Sequence, residues 1–184
     1  MDKVIKIGGF PLAPLPVALI SCGTVNDPKV LTVSWTGIVS SNPFRLYISV
    51  QPTRNSYPYI KESGEFVVNI PDETLLTIAD YCGTHSGKDV DKFAVCHLTP
   101  EPCKHISAPM IAQCPVSIEC RVFQTLDLGS HEMFIADILA THIAPEAMNG
   151  IKFDFGKVRP LGYANSNYYT LGGHLGKIGQ FKDD

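Results

Sequence analysis

Residues 30–36, Val-Leu-Thr-Val-Ser-Trp-Thr, alternate: in an extended chain Leu31, Val33 and Trp35 point one way and Thr32, Ser34 and Thr36 the other. That period of two fits a strand with one apolar and one hydroxyl-lined face. Runs 16–25, 44–50, 65–70, 114–126 and 132–143 are similarly rich in Val, Ile, Phe and Tyr and are bounded by glycine, proline or asparagine. Two helices are expected. One covers Pro58–Glu62, with Asn55 or Ser56 as N-cap and Gly64 at its end. The other begins behind Pro71-Asp72, carries Leu75, Leu76, Ile78 and Ala79 at helical spacing, and closes at Gly83. Strands that do not alternate with long helices argue against a doubly wound parallel sheet. A mainly β, antiparallel fold with a few peripheral helices remains, and rolling it into a barrel removes the sheet edges.

With 184 residues and 45% hydrophobic content, the chain can bury one sizeable core, so residues 1–184 are expected to form a single domain. The net charge of -3 offers no basic face for nucleic acid. No apolar run reaches the ~18 residues of a membrane span. Leu19-Ile20-Ser21-Cys22, preceded by Lys3 and Lys6, superficially resembles a lipoprotein cleavage site, but Pro11, Pro14 and Pro16 interrupt the apolar segment it requires. The cytoplasm is the expected compartment. Cysteines 22, 82, 96, 103, 114 and 120 form no CxxC pair. Cys120 shares one side of a strand with Val116, Ile118 and Val122, where a thiol acts as a small hydrophobe. Cys96-His97 with Cys103 and His105 match no standard zinc spacing, so no metal is expected. No GxGxxG follows a strand, "GGHLGK" at 172–177 has the wrong spacing for a phosphate loop, and no GxSxG is present.

The chemistry concentrates in "SVQPTRNSY", residues 49–57. Thr53 and Ser56 supply hydroxyls, Arg54 supplies a fixed fork of donors, and a helix begins immediately afterwards. Guanidinium, hydroxyls and a helix N-terminus together are the donors that hold a phosphate monoester. An ordinary strand-to-helix turn, with Ser56 as cap and Arg54 in water, would use the same residues. The hydroxyl-lined strand and the Ser40-Ser41-Asn42 patch lie just upstream. A planar heterocycle carrying a sugar-alcohol chain and a phosphate would suit that surface.

The order of these pieces resembles the flavin reductase-like, FMN-binding split-barrel family, and its flavoredoxin-type members in particular. The pieces are "PLPVALISCGT", "LTVSW" with a serine-rich turn, "QPTRNSYPYIKESGEFVVNI", "SGKDVDKF" at 86–93, "GSHEMFIADI" at 129–138 and "YYTLGGHLGKIG" near the C-terminus. The resemblance implies a six-stranded antiparallel split β-barrel, a homodimer, and flavin near the subunit interface. It places the isoalloxazine against Thr32, Val33, Ser34, Trp35 and Thr36, and the ribityl chain along Ser49, Val50 and Gln51. The phosphate falls to Thr53, Arg54 and Ser56, with Ser86 and Lys92 approaching from another side; a solvated lysine is the plain alternative for Lys92. His131 is the catalytic candidate, implied to meet a nicotinamide. The family's Gly-Asp-His turn is here Gly129-Ser130-His131, so the acidic neighbour is absent. The cofactor implied is FMN, with FAD possible and NAD(P)H as electron donor. Three functions follow: a reductase serving free flavin, ferric complexes or a partner redox protein; an FMN electron carrier; or a flavin-binding module without turnover.

Overall fold

The structure, a computed structural model, describes residues 2–5, 7–9 and 12–180. Pro11, one of the prolines interrupting the N-terminal apolar segment, lies outside them. In chain order the strands are β1 (Leu15–Pro16), β2 (Ala18–Thr24), β3 (Asp27–Val33), β4 (Thr36–Ser41), β5 (Phe44–Val50), β6 (Glu65–Ile70), β7 (Pro100–Glu101) and β8 (Met110–Ile111). They continue with β9 (Val116–Asp127), β10 (Glu132–Ile143), β11 (Met148–Asn149), β12 (Lys152–Phe153), β13 (Leu161–Ala164) and β14 (Asn167–Thr170). The helices are α1 (Ser56–Ser63), α2 (Leu76–Thr84), α3 (Lys92–Val95) and α4 (Phe155–Val158).

Seven strands form the main sheet in the order β3-β2-β6-β9-β10-β5-β4, and every pairing is antiparallel. Its two end strands, β3 and β4, are consecutive in the chain, with only Ser34 and Trp35 between them. A sheet whose ends are joined by two residues must roll up, and the Ser49 amide secures the seam by donating to the Trp35 carbonyl at 2.9 Å. The structure thus breaks the expected run 30–36 at its middle. The main sheet therefore has seven strands where six were expected, because the chain changes pairing partner between β3 and β4.

Inside the barrel Ile20, Leu31, Val33, Ile48, Phe66 and Phe134 pack together. A second core, with Leu19, Val30, Ala79, Phe93 and Ile111, fills the space between the barrel wall and α2 and α3. β2 is therefore buried on both faces, which is why "PVALISC" reads as an unbroken apolar run. Burial pushes the Cys22 and Cys82 thiols up to about 12, so they pack as neutral, apolar groups.

Both expected helices form. Gly64 ends α1 in the left-handed region, φ 67°, as its C-cap role requires. Asn55 occupies the N-cap of α1, yet its side chain makes no capping bond. α2 starts behind a short 3₁₀ turn capped by Asp72, which accepts from the Thr74 amide at 2.9 Å, and runs one residue past Gly83. Polar pins hold the layers. Buried Asn69 donates to the Leu19 carbonyl and accepts from the Ile111 amide at 3.0 Å and from Ser117. Buried Glu119 accepts from the amides of Lys104 (2.9 Å) and His105 (2.8 Å), while His142 Nε2 lies 2.5 Å away. Nothing in the apolar periodicity of "EFVVNI" or "VSIECRV" announces these two residues.

Candidate functional site

The barrel seam creates the first hollow, of about 150 Å³, between the end of β3 and the end of β5. Thr32, Val33, Ser34 and Trp35 line one side, Ser49, Val50 and Gln51 the other, with Arg54 and His131 at the margins. Val33 and Val50 send their side chains into the core, so they offer main chain here. The hydroxyl face is only partly available. Thr32 donates to the Ala79 carbonyl at 2.5 Å, tying β3 to α2, and Thr36 donates to the Tyr47 carbonyl at 2.6 Å. Thr36 lines none of the three hollows that meet here; its hydroxyl fastens β4 to β5 instead. An apolar cavity of about 760 Å³ opens over Trp35 and His131, walled by Leu15, Tyr47, Leu128 and Met133.

The second hollow, of about 360 Å³, adjoins the first through Leu31, Gln51 and Arg54. It gathers Thr53 and Arg54 from the loop before α1, Ser56 from the first position of α1, Ser86 from the segment between α2 and α3, and Lys92 from the first position of α3. The sequence could place these two groups together only through the family resemblance; the fold does so directly. Ser86 Oγ accepts from the Lys88 amide at 3.2 Å, which leaves its proton free to donate. Arg54 donates to the Gly83 carbonyl at 3.1 Å and Lys92 to the Cys82 carbonyl at 2.6 Å, so both cations are aimed by the last turn of α2. Lys92 is only 6% exposed. Burial, and then the positive charge of Arg54, hold its pKa below the ordinary lysine value. Among the described residues no carboxylate forms an ion pair with either cation. Two convergent cations without a carboxylate partner make a site complementary to an anion. The solvated-lysine alternative for Lys92 does not fit this burial.

His131 sits at the rim of both the first hollow and the apolar cavity. Its turn is set by Gly129 at φ 84° and by Asp127, which accepts from the Gly129 amide at 2.8 Å. The imidazole packs on Trp35, ring centroids 4.6 Å apart and tilted by 35°. Ser130 Oγ lies 3.0 Å from His131 Nδ1, so a serine does the orienting that the missing acidic residue would do. Partial burial, and then Arg54, lower the His131 pKa, keeping the ring neutral at pH 7. Next to it, buried Glu132 accepts from Tyr57 and Lys61, which ties the His131 turn to α1. Sequence reading missed this link, and also the parts of Asn55, His85 and Gly87 in the second hollow. Gly87 lies within the "SGKDVDKF" segment and His85 directly before it, which was the available signal.

A rolled antiparallel barrel with an anion loop at its seam and an apolar cavity beside it defines a split-barrel protein. Residues 10–172 match the model of the flavin reductase like domain, and the chain belongs to that family. Flavoredoxin of Desulfovibrio vulgaris (Miyazaki F) superposes with a TM-score of 0.89 at 30% identity, covering 98% of this chain and 99% of that one. Flavoredoxin from Methanosarcina acetivorans gives 0.89 at 28% identity over 98% and 97%. A protein of Archaeoglobus fulgidus is 36% identical over 132 residues, 71% of this chain and 74% of its own length. Among the described residues no helix is long and apolar enough to cross a membrane, and no group of three or more His, Cys, Asp or Glu could hold a metal ion.

Proposed function

We propose that this chain is an FMN-binding oxidoreductase that takes a hydride from NAD(P)H and hands the electrons to free flavin, a ferric complex or a partner redox protein. The observation that carries the reading is the pairing of Arg54 with buried Lys92, neither of which has a carboxylate partner among the described residues, one step beyond a hollow lined by Thr32–Trp35 and Ser49–Gln51. These residues fit a phosphorylated flavin. Thr53, Arg54, Ser56, Ser86 and Lys92 would hold the phosphate, Ser49 and Gln51 the ribityl hydroxyls, and residues 32–35 the ring edge.

When bound, flavin supplies the redox chemistry by accepting a hydride and returning electrons singly or in pairs. The protein's share is placement and access. Trp35 and His131 form the aromatic margin of the apolar cavity, and Leu15, Tyr47 and Leu128 give it apolar walls. Neutral His131 can pack against an incoming nicotinamide without repelling its cationic product. We further propose a homodimer: Val39 on β4, Phe44 on β5 and Phe123 on β9 are at least half exposed, an apolar face suited to a second copy.

A competing reading, an FMN electron carrier without NAD(P)H turnover, is supported by the two flavoredoxin likenesses along nearly the whole chain. Rapid mixing of FMN-loaded protein with NADH and NADPH decides between them. Prompt bleaching of the flavin absorbance by at least one nucleotide is the expected result. Loaded protein that stays yellow with both, but bleaches with a reduced ferredoxin-type donor, would leave the carrier reading standing.

His131→Ala should slow that bleaching by roughly 2- to 12-fold, the equivalent of the ~0.5–1.5 kcal/mol of ring packing, without changing flavin content. Because the lowered pKa keeps the wild-type ring neutral, the wild-type rate should be flat from neutral pH upward until other groups titrate. An unaltered rate in the variant removes His131 from the reaction.

A further inference from the structure

We propose that Cys82 and Cys96 form a peroxide-oxidisable dithiol behind the phosphate hollow, and that its closure to a disulfide loosens the grip of Lys92 on the flavin phosphate. The effect on phosphate rests on the flavin reading above; the dithiol does not. Cys82, completely buried on the last turn of α2, and half-buried Cys96, just past the end of α3, pack in one core with Leu75, Phe93 and Leu98. Their thiols are hydrogen-bonded to each other. Lys92 is held between them. Its ammonium donates to the Cys82 carbonyl at 2.6 Å, and its own carbonyl accepts from the Cys96 amide at 3.0 Å. The two sulfurs thus flank the buried cation that borders the anion site.

Oxidation should start at Cys96. Cys22, Cys82, Cys114 and Cys120 are buried, whereas Cys96 and Cys103 are only half-buried. Burial pushes both half-buried thiols up, but their surroundings differ in sign. The hydrogen bond from Cys82 and the positive charge of Lys92 favour a thiolate at Cys96. The negative Glu119 opposes one at Cys103, whose thiol is pushed up to about 12. Burial, and with it the bond to Cys96, pushes Cys82 up to about 12, so Cys96 is the sulfur of the pair that ionises first. Its thiolate attacks one oxygen of hydrogen peroxide. The O–O bond breaks, and the departing hydroxide takes the proton that Cys96 gave up, leaving as water. Cys82 then attacks the sulfur of the Cys96 sulfenic acid. The S–O bond breaks as the S–S bond forms, and the displaced hydroxide leaves as water with the Cys82 proton. The two thiols together lose two electrons, and one peroxide is reduced to two waters. Bonded sulfurs lie closer than hydrogen-bonded ones, so the ends of α2 and α3 must draw together. The carbonyls of Cys82 and Gly83, which aim Lys92 and Arg54, belong to the end that shifts.

Treating the flavin-free protein with hydrogen peroxide tests this. Peptide mapping without reductant should find Cys82 joined to Cys96, and dithiothreitol should reverse the link. The oxidised protein should bind FMN at least about fivefold more weakly than the reduced protein, part of what one charge-assisted contact supplies, with riboflavin changed less than about twofold. Cys96→Ser should bind FMN like reduced wild-type protein both before and after peroxide. In Cys82→Ala the reaction should stop at the Cys96 sulfenic acid, which dimedone traps. No link, or one that joins other cysteines such as Cys82 and Cys114, overturns the proposal. So does a Cys82–Cys96 disulfide that leaves FMN affinity unchanged. Reduced wild-type protein that takes up no FMN brings down the flavin reading, and the loosening with it, whatever the mapping shows.

Discussion

Glu119→Ala should cost the fold about 3–5 kcal/mol, the range for removing one partner of a buried charged network. The carboxylate is completely buried and takes three donors: the amides of Lys104 and His105 and the imidazole of His142. Alanine leaves all three facing a void. At roughly 2–4 °C per kcal/mol for a chain of this size, Tm should fall by about 6–20 °C. The same group governs behaviour in acid. Burial is the largest single influence on Glu119 and pushes its pKa up, yet the three donors together outweigh it and hold the carboxyl below its usual value. Glu132 is also held low, chiefly by Lys61 and then by Tyr57. A carboxyl with a depressed folded-state pKa contributes stability that is present above its unfolded value of about 4.3 and is lost as pH falls through the folded value. Urea midpoints measured from pH 7 downward should therefore hold until about pH 5 and then drop. In Glu119→Gln the acid drop should be shallower, because one of the two titrating groups is gone. A variant with wild-type stability, or with an unchanged acid profile, would show that the network contributes nothing.

The barrel was legible because its strands obey one rule, alternation, and because β2, buried on both faces, breaks that rule in a recognisable way. The seam was not legible. Val-Ser-Trp-Thr continues the alternating pattern through Ser34 and Trp35, and only pairing of β3 with β2 and of β4 with β5 shows that the chain changes partners there. Thr32 and Thr36 illustrate a second limit. Their hydroxyls look available in a one-dimensional pattern, but α2 and β5 supply carbonyls that use them. Arg54 and Lys92 show the reverse: 38 residues apart, they become one site because neighbouring carbonyls at the end of α2, those of Cys82 and Gly83, receive both. Sequence spacing cannot reveal such a meeting; a resemblance that carries a fold can.

Arg54→Ala should weaken FMN by about 1.5–3 kcal/mol, roughly 10- to 150-fold, while riboflavin affinity stays within about twofold. Riboflavin has the ring and ribityl chain but no phosphate, so the contrast isolates the anion contact. Arg54 is exposed and its bond to Gly83 is a surface one, so folding should be little affected. Its positive charge also depresses the pKa values of Lys92 and His131, in both cases after the larger effect of burial. Removing it should move the His131 titration, followed by NMR on flavin-free protein, upward toward the ordinary histidine value. Lys92 gives the companion result on the alkaline side. Its lowered pKa means that it loses its proton below the ~10.4 of a free lysine, and FMN affinity should fall as pH rises through that lowered value. Linkage requires the converse, so bound FMN should raise the Lys92 pKa by stabilising the protonated ammonium. An equal loss of FMN and riboflavin in Arg54→Ala, with the His131 titration unmoved, would mean that the guanidinium faces water and that the anion sits elsewhere.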